Sequence, residues 1–301
     1  MKLSIGSLLP AVDRGWKSMY AACSLATCRN TLLMRSVQSR VGISVGQAWY
    51  CSADCFAVAA RNKFASLSGG SVVEMPHIPR RSIGLVLLQK GILTDEQLRF
   101  AMAQSKLCGE ELEATLVRLG LASERQLTAA RAAQWGYPVL GQDRMGQPVQ
   151  ADIPSILLQT CCAAPLHYST TAKRFLLGFV YRVEHSLLNA LEQVTEFRAE
   201  PCFITPTEYA EQMERLTASP ECEEVVFENP QTPAQMAKTV AGFAVELAAR
   251  EARFAHCREY VWTRLSGKRR KIDVLFGVKS GAEAGPRREF AVAEERVRSL
   301  G

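Results

Sequence analysis

The clearest pattern of apolar and polar positions lies in residues 82–135, where the sequence repeats itself after 29 positions. Each copy has an apolar stretch, a glycine, a short polar segment and a second stretch with apolar residues at helical spacing, such as Leu98 and Met102. The pattern therefore predicts a tandem pair of helical hairpins. The superimposed positions are Leu87 and Leu116, Leu88 and Val117, Gly91 and Gly120, Ile92 and Leu121, Thr94 and Ser123, Asp95 and Glu124, Gln97 and Gln126, and Leu98 and Leu127.

Two local signals indicate where these helices end and begin. Gly91 and Gly120 lie where a helix end needs a left-handed residue, a conformation that glycine adopts without steric cost. Thr94 and Ser123 are each followed by glutamine three positions later, which is the pattern of a capping box. We therefore expect the second helix of each hairpin to begin directly after these hydroxyl residues.

Residues 137–218 change to alternating strand-like and helix-like segments, which predict a small mixed sheet covered by helices. Asp152 is expected to cap a short helix that ends near Thr160. The segment is acidic, because residues 151–224 carry 11 Asp or Glu against 5 Lys or Arg. The predicted strands are 163–168, 175–181 and 200–205, and the predicted helices are 184–194 and 206–216.

The two flanks of this region differ from it. Residues 1–80 show no long helical period, and residues 219–227 are expected to form a linker. Thr232 and Pro233 open a further helix, which is followed by a predicted β-hairpin of residues 260–265 and 272–276. The sequence thus predicts an α+β protein. Its predicted parts are 1–80 (a cysteine-containing module), 81–218 (a helical lobe 81–136 and an α/β lobe 137–218), 219–276 (a helix plus a basic hairpin) and 277–301 (a flexible tail).

Composition places the chain among ordinary globular proteins, with 48% apolar and 22% charged residues in 301. No run approaches the ~18 apolar residues of a membrane-spanning helix, so membrane insertion is not expected. Pro10 and Asp13 interrupt the N-terminal stretch before a secretory signal could form, and a cytoplasmic location is therefore the expectation.

The sequence lacks the motifs of several enzyme classes. It has no phosphate-binding loop of the Gly-x-x-x-x-Gly-Lys type, no His-Glu-x-x-His pair and no Gly-x-Ser-x-Gly elbow. Its four histidines, at 77, 167, 185 and 256, are dispersed. We therefore expect a protein that is not an enzyme and that has no catalytic residues.

Four of the ten cysteines form two close pairs, Cys23-x4-Cys28 and Cys51-x3-Cys55. Four thiolates match the tetrahedral preference of Zn²⁺, and a segment in which few apolar residues recur periodically needs such a staple to fold. The stretch 49–56 resembles the second knuckle of zinc-ribbon and treble-clef modules. The sequence thus predicts a structural zinc site, and four reduced, unligated thiols are the alternative. The other six cysteines are expected to pack in cores: Cys108, Cys161, Cys162, Cys202, Cys222 and Cys257.

Because it contains this repeat, the stretch 82–218 resembles the MshEN-type N-terminal domain of the assembly ATPases of type II secretion and type IV pili. The two motifs of that family correspond to residues 82–105 and 111–134, with 106–110 as the spacer. The resemblance implies that each motif binds one half of cyclic di-GMP. The implied ligand-binding residues are Arg80, Arg81, Gly84, Leu87, Leu88, Gly91, Ile92 and Leu98 with the first motif, and Leu116, Val117, Gly120, Leu121, Leu127 and Gln134 in the second.

This sequence departs from the family at polar positions. The arginine that begins each motif is replaced by Ser82 and Glu111, an early glycine is Glu113, and a terminal glutamine is Ser105. Two carboxylates beside a dianionic ligand would each repel it by about 1–4 kcal/mol at ~4 Å near a surface. We therefore expect weakened cyclic di-GMP binding on a retained scaffold.

The sequence as a whole favours a non-catalytic regulatory or adaptor protein that docks on protein partners, such as components of secretion, pilus or signalling machinery. No ATPase domain is recognised after residue 218. A nucleic-acid-binding regulator is the alternative, because the basic turn 268–271 lies near Tyr260 and Trp262 and the stretch 1–80 is also basic. Such a turn is also common as a solvated hairpin tip that protects a sheet edge.

Overall fold

The computed structural model describes residues 20–33, 42–69, 81–140, 152–169, 171–216 and 222–278. Helices and strands alternate along these ranges, so the predicted α+β class is confirmed. The helices are α1 (Ala53–Gly69), α2 (Ile83–Gln89), α3 (Asp95–Cys108), α4 (Leu112–Arg118), α5 (Glu124–Trp135), α6 (Ser155–Thr160), α7 (His185–Thr195), α8 (Pro206–Arg215) and α9 (Pro233–Glu246). The strands are β1 (Tyr20–Ala22), β2 (Thr31–Leu33), β3 (Ile43–Val45), β4 (Ala48–Tyr50), β5 (Ala163–Ser169), β6 (Arg174–Phe179), β7 (Arg198–Phe203), β8 (Cys222–Phe227), β9 (Glu251–Cys257), β10 (Tyr260–Ser266) and β11 (Lys271–Gly277).

The largest sheet has six strands in the order β4-β3-β9-β10-β11-β8. The predicted hairpin is present as β10 and β11, and β9 pairs antiparallel with β10. The predicted linker at 219–227 is wrong, because residues 222–227 form β8, which pairs in parallel with β11. Strands from both ends of the chain therefore lie in one sheet, although the sequence suggested two separate flanking parts.

One face of this sheet is covered by α1 and α9. Phe56 and Phe64 of α1 have no exposed surface, and they pack in one core with Val240 of α9 and Phe254 of β9. The expectation that residues 1–80 contain no long helix is wrong, since α1 has 17 residues. Its buried residues are spaced four apart and alternate phenylalanine with alanine, which gives only a weak apolar stripe.

The other face of the sheet packs against α7, which lies between this sheet and a three-stranded sheet of order β5-β6-β7. Leu187 of α7, Phe203 of β7 and Trp262 of β10 belong to one buried core. The three strands and the two long helices predicted for residues 137–218 are present, with shifts of one or two residues at their ends. The small mixed sheet is therefore confirmed and is joined to the larger sheet through α7.

The predicted tandem hairpins are also confirmed. Helices α2 and α3 form the first hairpin, α4 and α5 form the second, and both contribute to one core that includes Leu87 and Leu116. Gly91 and Gly120 have φ values of +66° and +67°, as a left-handed helix end requires. The capping boxes that begin α3 and α5 are both present, and each glutamine accepts a hydrogen bond from the backbone N–H of the capping residue.

The short helix α6 is capped in a way that the sequence did not predict. The carboxylate of Glu224 on β8 accepts hydrogen bonds from the backbone N–H of Ser155 at 2.9 Å and of Ile156 at 3.3 Å. The predicted capping role of Asp152 is wrong, because its carboxylate instead pairs with Lys271 at 2.5 Å. A carboxylate from a distant strand thus satisfies the free N–H groups of this helix.

Within the described ranges, no helix is both long enough and apolar enough to cross a membrane.

Candidate functional site

The four cysteines of the predicted metal site converge at the start of α1. Cys23 follows β1, Cys28 lies in the turn before β2, Cys51 follows β4 and Cys55 lies in the first turn of α1. The sulfur atoms of Cys28 and Cys51 are 3.6 Å apart, and those of Cys51 and Cys55 are 3.8 Å apart. All four sulfur atoms lie within 4.8 Å of one another. The predicted grouping of these residues is therefore present.

These separations fit a tetrahedral metal site better than a disulfide. A Zn–S bond of about 2.3 Å places the four sulfurs of a regular tetrahedron about 3.8 Å apart. A disulfide would bring two sulfurs to about 2.0 Å, and all four cysteines are free thiols. Cys23 is buried, whereas Cys28, Cys51 and Cys55 are partly exposed. The donor set and its spacing thus suit one structural zinc ion.

The backbone around the cluster is held by hydrogen bonds between the two cysteine pairs. The N–H of Ser24 donates to the Trp49 carbonyl at 2.8 Å, and the N–H of Trp49 donates to the Ser24 hydroxyl at 3.0 Å. Gly42 has a φ of +89°, and a Cβ atom there would lie 2.4 Å from the carbonyl oxygen of Tyr50. A side chain at position 42 would therefore collide with β4, so glycine is required at this close approach.

The electrostatics of the thiols differ within the cluster. Burial raises the pKa of Cys23, but hydrogen bonds from the N–H groups of Cys51 and Leu25 outweigh it, and its pKa lies below the usual value. The Ser52 hydroxyl lowers the pKa of Cys55, whereas burial and the neighbouring thiols raise it, to about 12 overall. Crowded thiolates repel one another, and a bound cation would relieve that repulsion.

The residues that the resemblance implies for cyclic di-GMP binding, here called the cradle, fall into two groups. Most of the apolar ones build the packing between the hairpins, since Leu87, Leu98, Leu116 and Leu127 are buried in one core. Leu88, Ile92 and Leu121 are partly buried against that core, and Gly91 and Gly120 lie exposed at the helix ends. Gly84 is buried beneath Leu98, and Val117 is exposed.

The polar residues of the cradle are engaged within the protein. The side-chain amide of Gln134 donates to the carbonyl of Arg81, and the guanidinium of Arg81 donates to Gln89 Oε1 at 3.2 Å. These contacts tie the start of the first motif to the end of the second. Arg80 lies outside the described residues. The assignment of ligand-binding residues therefore stays a prediction.

Glu113 has a partner that the sequence analysis missed. Its carboxylate forms an ion pair with Arg131 of α5, a residue that is only 5% exposed. Arg131 also donates to the carbonyl of Val180 at 2.6 Å, and its guanidinium lies 5.4 Å from the ring centre of Tyr181. Burial lowers the pKa of Arg131, while Tyr181 and Glu111 oppose that shift. The charge of Glu113 is thus compensated internally, and the charge of Glu111 also acts on Arg131.

A polar groove of about 450 Å³ lies where the helical lobe meets the α/β lobe. Glu124 Oε2 accepts a hydrogen bond from the Thr207 hydroxyl at 2.8 Å, and Arg125 pairs with Glu208 at 3.3 Å. These contacts connect the start of α5 to the start of α8, so the groove belongs to the junction of the two lobes.

The basic turn after β10 does not have the form expected of a nucleic-acid surface. Trp262 has no exposed surface, and its indole N–H donates to Asp273 at 2.8 Å, so the expectation of an aromatic available for base stacking is wrong at this residue. Arg270 pairs with Glu223 at 2.8 Å, and Lys271 pairs with Asp152. Two of the four basic residues of the turn are thus paired with carboxylates.

The remaining cysteines mostly match the expectation of core packing. Cys161, Cys202 and Cys257 are buried, and Cys162 and Cys222 are partly buried. Cys108 is exposed at the end of α3, so the expectation that it packs in a core is wrong.

Comparisons with known proteins identify a relative among the pilus assembly ATPases. The type IV pilus assembly ATPase PilB of Thermus thermophilus is 28% identical over 123 residues, which cover 40% of this chain and 14% of PilB. The predicted resemblance is confirmed. The matched part thus spans a small fraction of the relative's length, and no protein-family model matches the chain.

Solved structures similar to the chain include MshE with cyclic di-GMP, at 22% identity and a TM-score of 0.37. They also include the N-terminal domain of XpsE, at 23% identity and a TM-score of 0.35. The alignments cover 46% and 47% of this chain, respectively, and 100% of the solved chains.

Proposed function

We propose that this chain is a non-catalytic docking module whose paired hairpins form a weakened cradle for cyclic di-GMP. Its protein partner would be a component of pilus, secretion or signalling machinery. The observation that carries the proposal is the duplicated hairpin, with matching left-handed glycines at 91 and 120 and both repeats in one core. Two similar halves side by side suit a ligand with two similar halves.

The weakened affinity follows from the charge of the second motif. Glu111 is exposed at the start of α4, and its side chain does not cap that helix. Glu113 adds less repulsion because Arg131 neutralises it. A carboxylate near a phosphate costs about 1–4 kcal/mol at ~4 Å near a surface, which is tenfold or more in affinity at the upper part of that range.

The ligand half of the proposal is tested by titrating cyclic di-GMP calorimetrically into the full chain and into Glu111→Arg. We expect at least tenfold tighter binding by Glu111→Arg, because the substitution replaces a repulsive charge with an attractive one. Glu214→Arg is the matched control, since Glu214 is exposed on α8, outside the repeats. Equal affinities for the two variants, or binding by neither, would contradict the proposed cradle.

The docking half rests on the exposed apolar side chains of the helical lobe. Leu85, Phe100 and Leu107 are 51%, 54% and 78% exposed, so these large apolar side chains are available to a partner surface. We expect Phe100→Ser to weaken binding to a purified pilus or secretion component, whereas Val245→Ser on α9, where Val245 is 65% exposed, should not. ATP hydrolysis above the buffer rate would contradict the non-catalytic assignment.

The proposed cofactor is one structural Zn²⁺ held by Cys23, Cys28, Cys51 and Cys55. Four thiolates complete a tetrahedral shell, so the ion would stabilise the fold and leave no open position for a substrate. The 3.6 Å and 3.8 Å separations of the sulfurs support this donor set. Elemental analysis should find one zinc per chain in Cys108→Ser and none in Cys51→Ser.

A further inference from the structure

We propose that the metal at the four cysteines keeps the N-terminal part of the six-stranded sheet folded, by holding residues 42–69 onto the C-terminal strands. This inference rests on the proposed zinc site. Metal binding would thereby regulate the stability of a sheet whose last strand, β11, lies more than 200 residues along the chain from the ligands.

The ligands lie on both sides of β3 and β4, the two strands with which this segment joins the sheet. Cys23 and Cys28 flank the turn between β1 and β2, whereas Cys51 and Cys55 bracket the start of α1. A metal bound to all four would therefore clamp the end of β4 and the first turn of α1 to the β1–β2 segment. Loop closure of this kind reduces the number of conformations that the residues between the ligands can adopt in the unfolded state.

Helix α1 transmits this constraint to the sheet. Phe56 directly follows the ligand Cys55 and has no exposed surface. Its ring centre lies 6.3 Å from that of Phe254 on β9. Two turns later, the ring of Phe64 lies 5.3 Å from Phe254 and 5.5 Å from Phe276 on β11. The helix that begins at the metal site thus covers the central strands of the sheet.

Helix α1 also packs along α9, but the backbone pairing of β3 with the C-terminal strands is limited. β3 meets β9 at a single register pair, Ser44 and Glu251, with the N–H of Ser44 donating to the Arg250 carbonyl at 2.7 Å. β1 to β4 have three residues each. Hairpins this short are marginal in water without further support. A metal staple would supply that support.

The test is hydrogen exchange of the full chain, measured by mass spectrometry with zinc bound and after removal of zinc by a chelator under reducing conditions. We expect amide exchange at least tenfold faster in residues 42–69 and in β9 without the metal. Exchange in α3 and α5 should not change, because these helices belong to the separate core of the repeats. Adding zinc back should restore the protection.

Variants and metal content separate the two proposals. Cys51→Ser should show the fast exchange even with zinc present, and Cys108→Ser should behave as the unmodified chain. If Cys51→Ser does not fold, the chelator comparison on the unmodified chain decides. Absence of zinc in the purified protein and no uptake of added zinc would contradict the proposed site itself. Bound zinc whose removal speeds exchange only in residues 20–33 and 51–55 would overturn the inference.

Discussion

At position 113 the second hairpin carries a glutamate where the first hairpin carries Gly84. A Cβ atom at Gly84 would lie 2.9 Å from Leu98 Cδ1, so the glycine lets α2 pack closely on the Leu98 side chain of α3. In the second copy the glutamate pairs with the buried Arg131, which also contacts the α/β lobe through the Val180 carbonyl. The two repeats thus use this position differently: the first copy makes a packing contact there, and the second makes an ion pair that joins two lobes.

Substituting Glu113→Gln is predicted to destabilise the protein. The change takes the carboxylate of its ion pair away from the buried Arg131, which is more costly than losing an exposed pair. Because the Glu113 side chain is 28% exposed, we expect a loss of about 1–3 kcal/mol in the free energy of unfolding. Urea denaturation monitored by circular dichroism measures this loss of free energy.

The control for this prediction is Glu200→Gln, which makes the same chemical change in an exposed ion pair. Glu200 pairs with Arg174 at 2.9 Å, and the two side chains are 40% and 56% exposed. Such pairs contribute about 0–1 kcal/mol. Equal losses in the two variants would mean that Arg131 finds another partner when Glu113 is changed.

Among the helices, those with local end signals were predicted well from the sequence. The capping boxes at Thr94, Ser123 and Thr232 begin helices where expected, because each motif satisfies its backbone groups within four residues. The cap of α6 comes from Glu224, 69 positions away along the chain from Ser155. No local pattern encodes that partner, so the sequence pointed to the nearer Asp152.

Removing the long-range cap is predicted to affect α6 specifically. In Glu224→Ala, the N–H groups of Ser155 and Ile156 lose their acceptor, and we expect a cost of about 0.5–2 kcal/mol with faster amide exchange at these two residues. Glu223→Ala is the neighbouring control, since Glu223 only pairs with the exposed Arg270. Unchanged exchange at both amides in Glu224→Ala would contradict the capping role.

The elements that the sequence analysis missed depend on distant pairing or on a weak stripe. β8 is an edge strand that is held by parallel pairing with β11, and only its last three residues form an apolar run, which is short for a strand signal. Helix α1 had a readable signal in Phe56, Ala60 and Phe64, which repeat every four residues, but small residues between them hide it.

The candidate sites were predicted to different extents for a related reason. The cysteine spacing correctly predicted that four thiols would meet, because two close thiol pairs, separated by four and by three intervening residues, point to a common centre. The charges of the cradle could not be judged in the same way. Arg131 lies between two alanines on the apolar face of α5, and its pairing with Glu113 depends on how two helices pack.

In the molecule as a whole, the three-stranded sheet and the six-stranded sheet share one continuous core across α7. This helix packs against β7 of the small sheet and β9 of the large sheet, and its residues join the same cluster as Phe203 and Trp262. A core that spans both sheets favours cooperative unfolding of the two as one unit.

Leu187→Ala in α7 tests this connection. Leu187 has no exposed surface, so we expect a loss of about 2–5 kcal/mol in the free energy of unfolding. In variants that keep a single tryptophan, the fluorescence of Trp135 near β7 and of Trp262 in β10 should report the same shift of the urea midpoint. Leu107→Ala, at a site 78% exposed, should leave both midpoints in place. If Leu187→Ala moved only the midpoint reported by Trp135, the two sheets would be unfolding independently, and the shared core would not couple them.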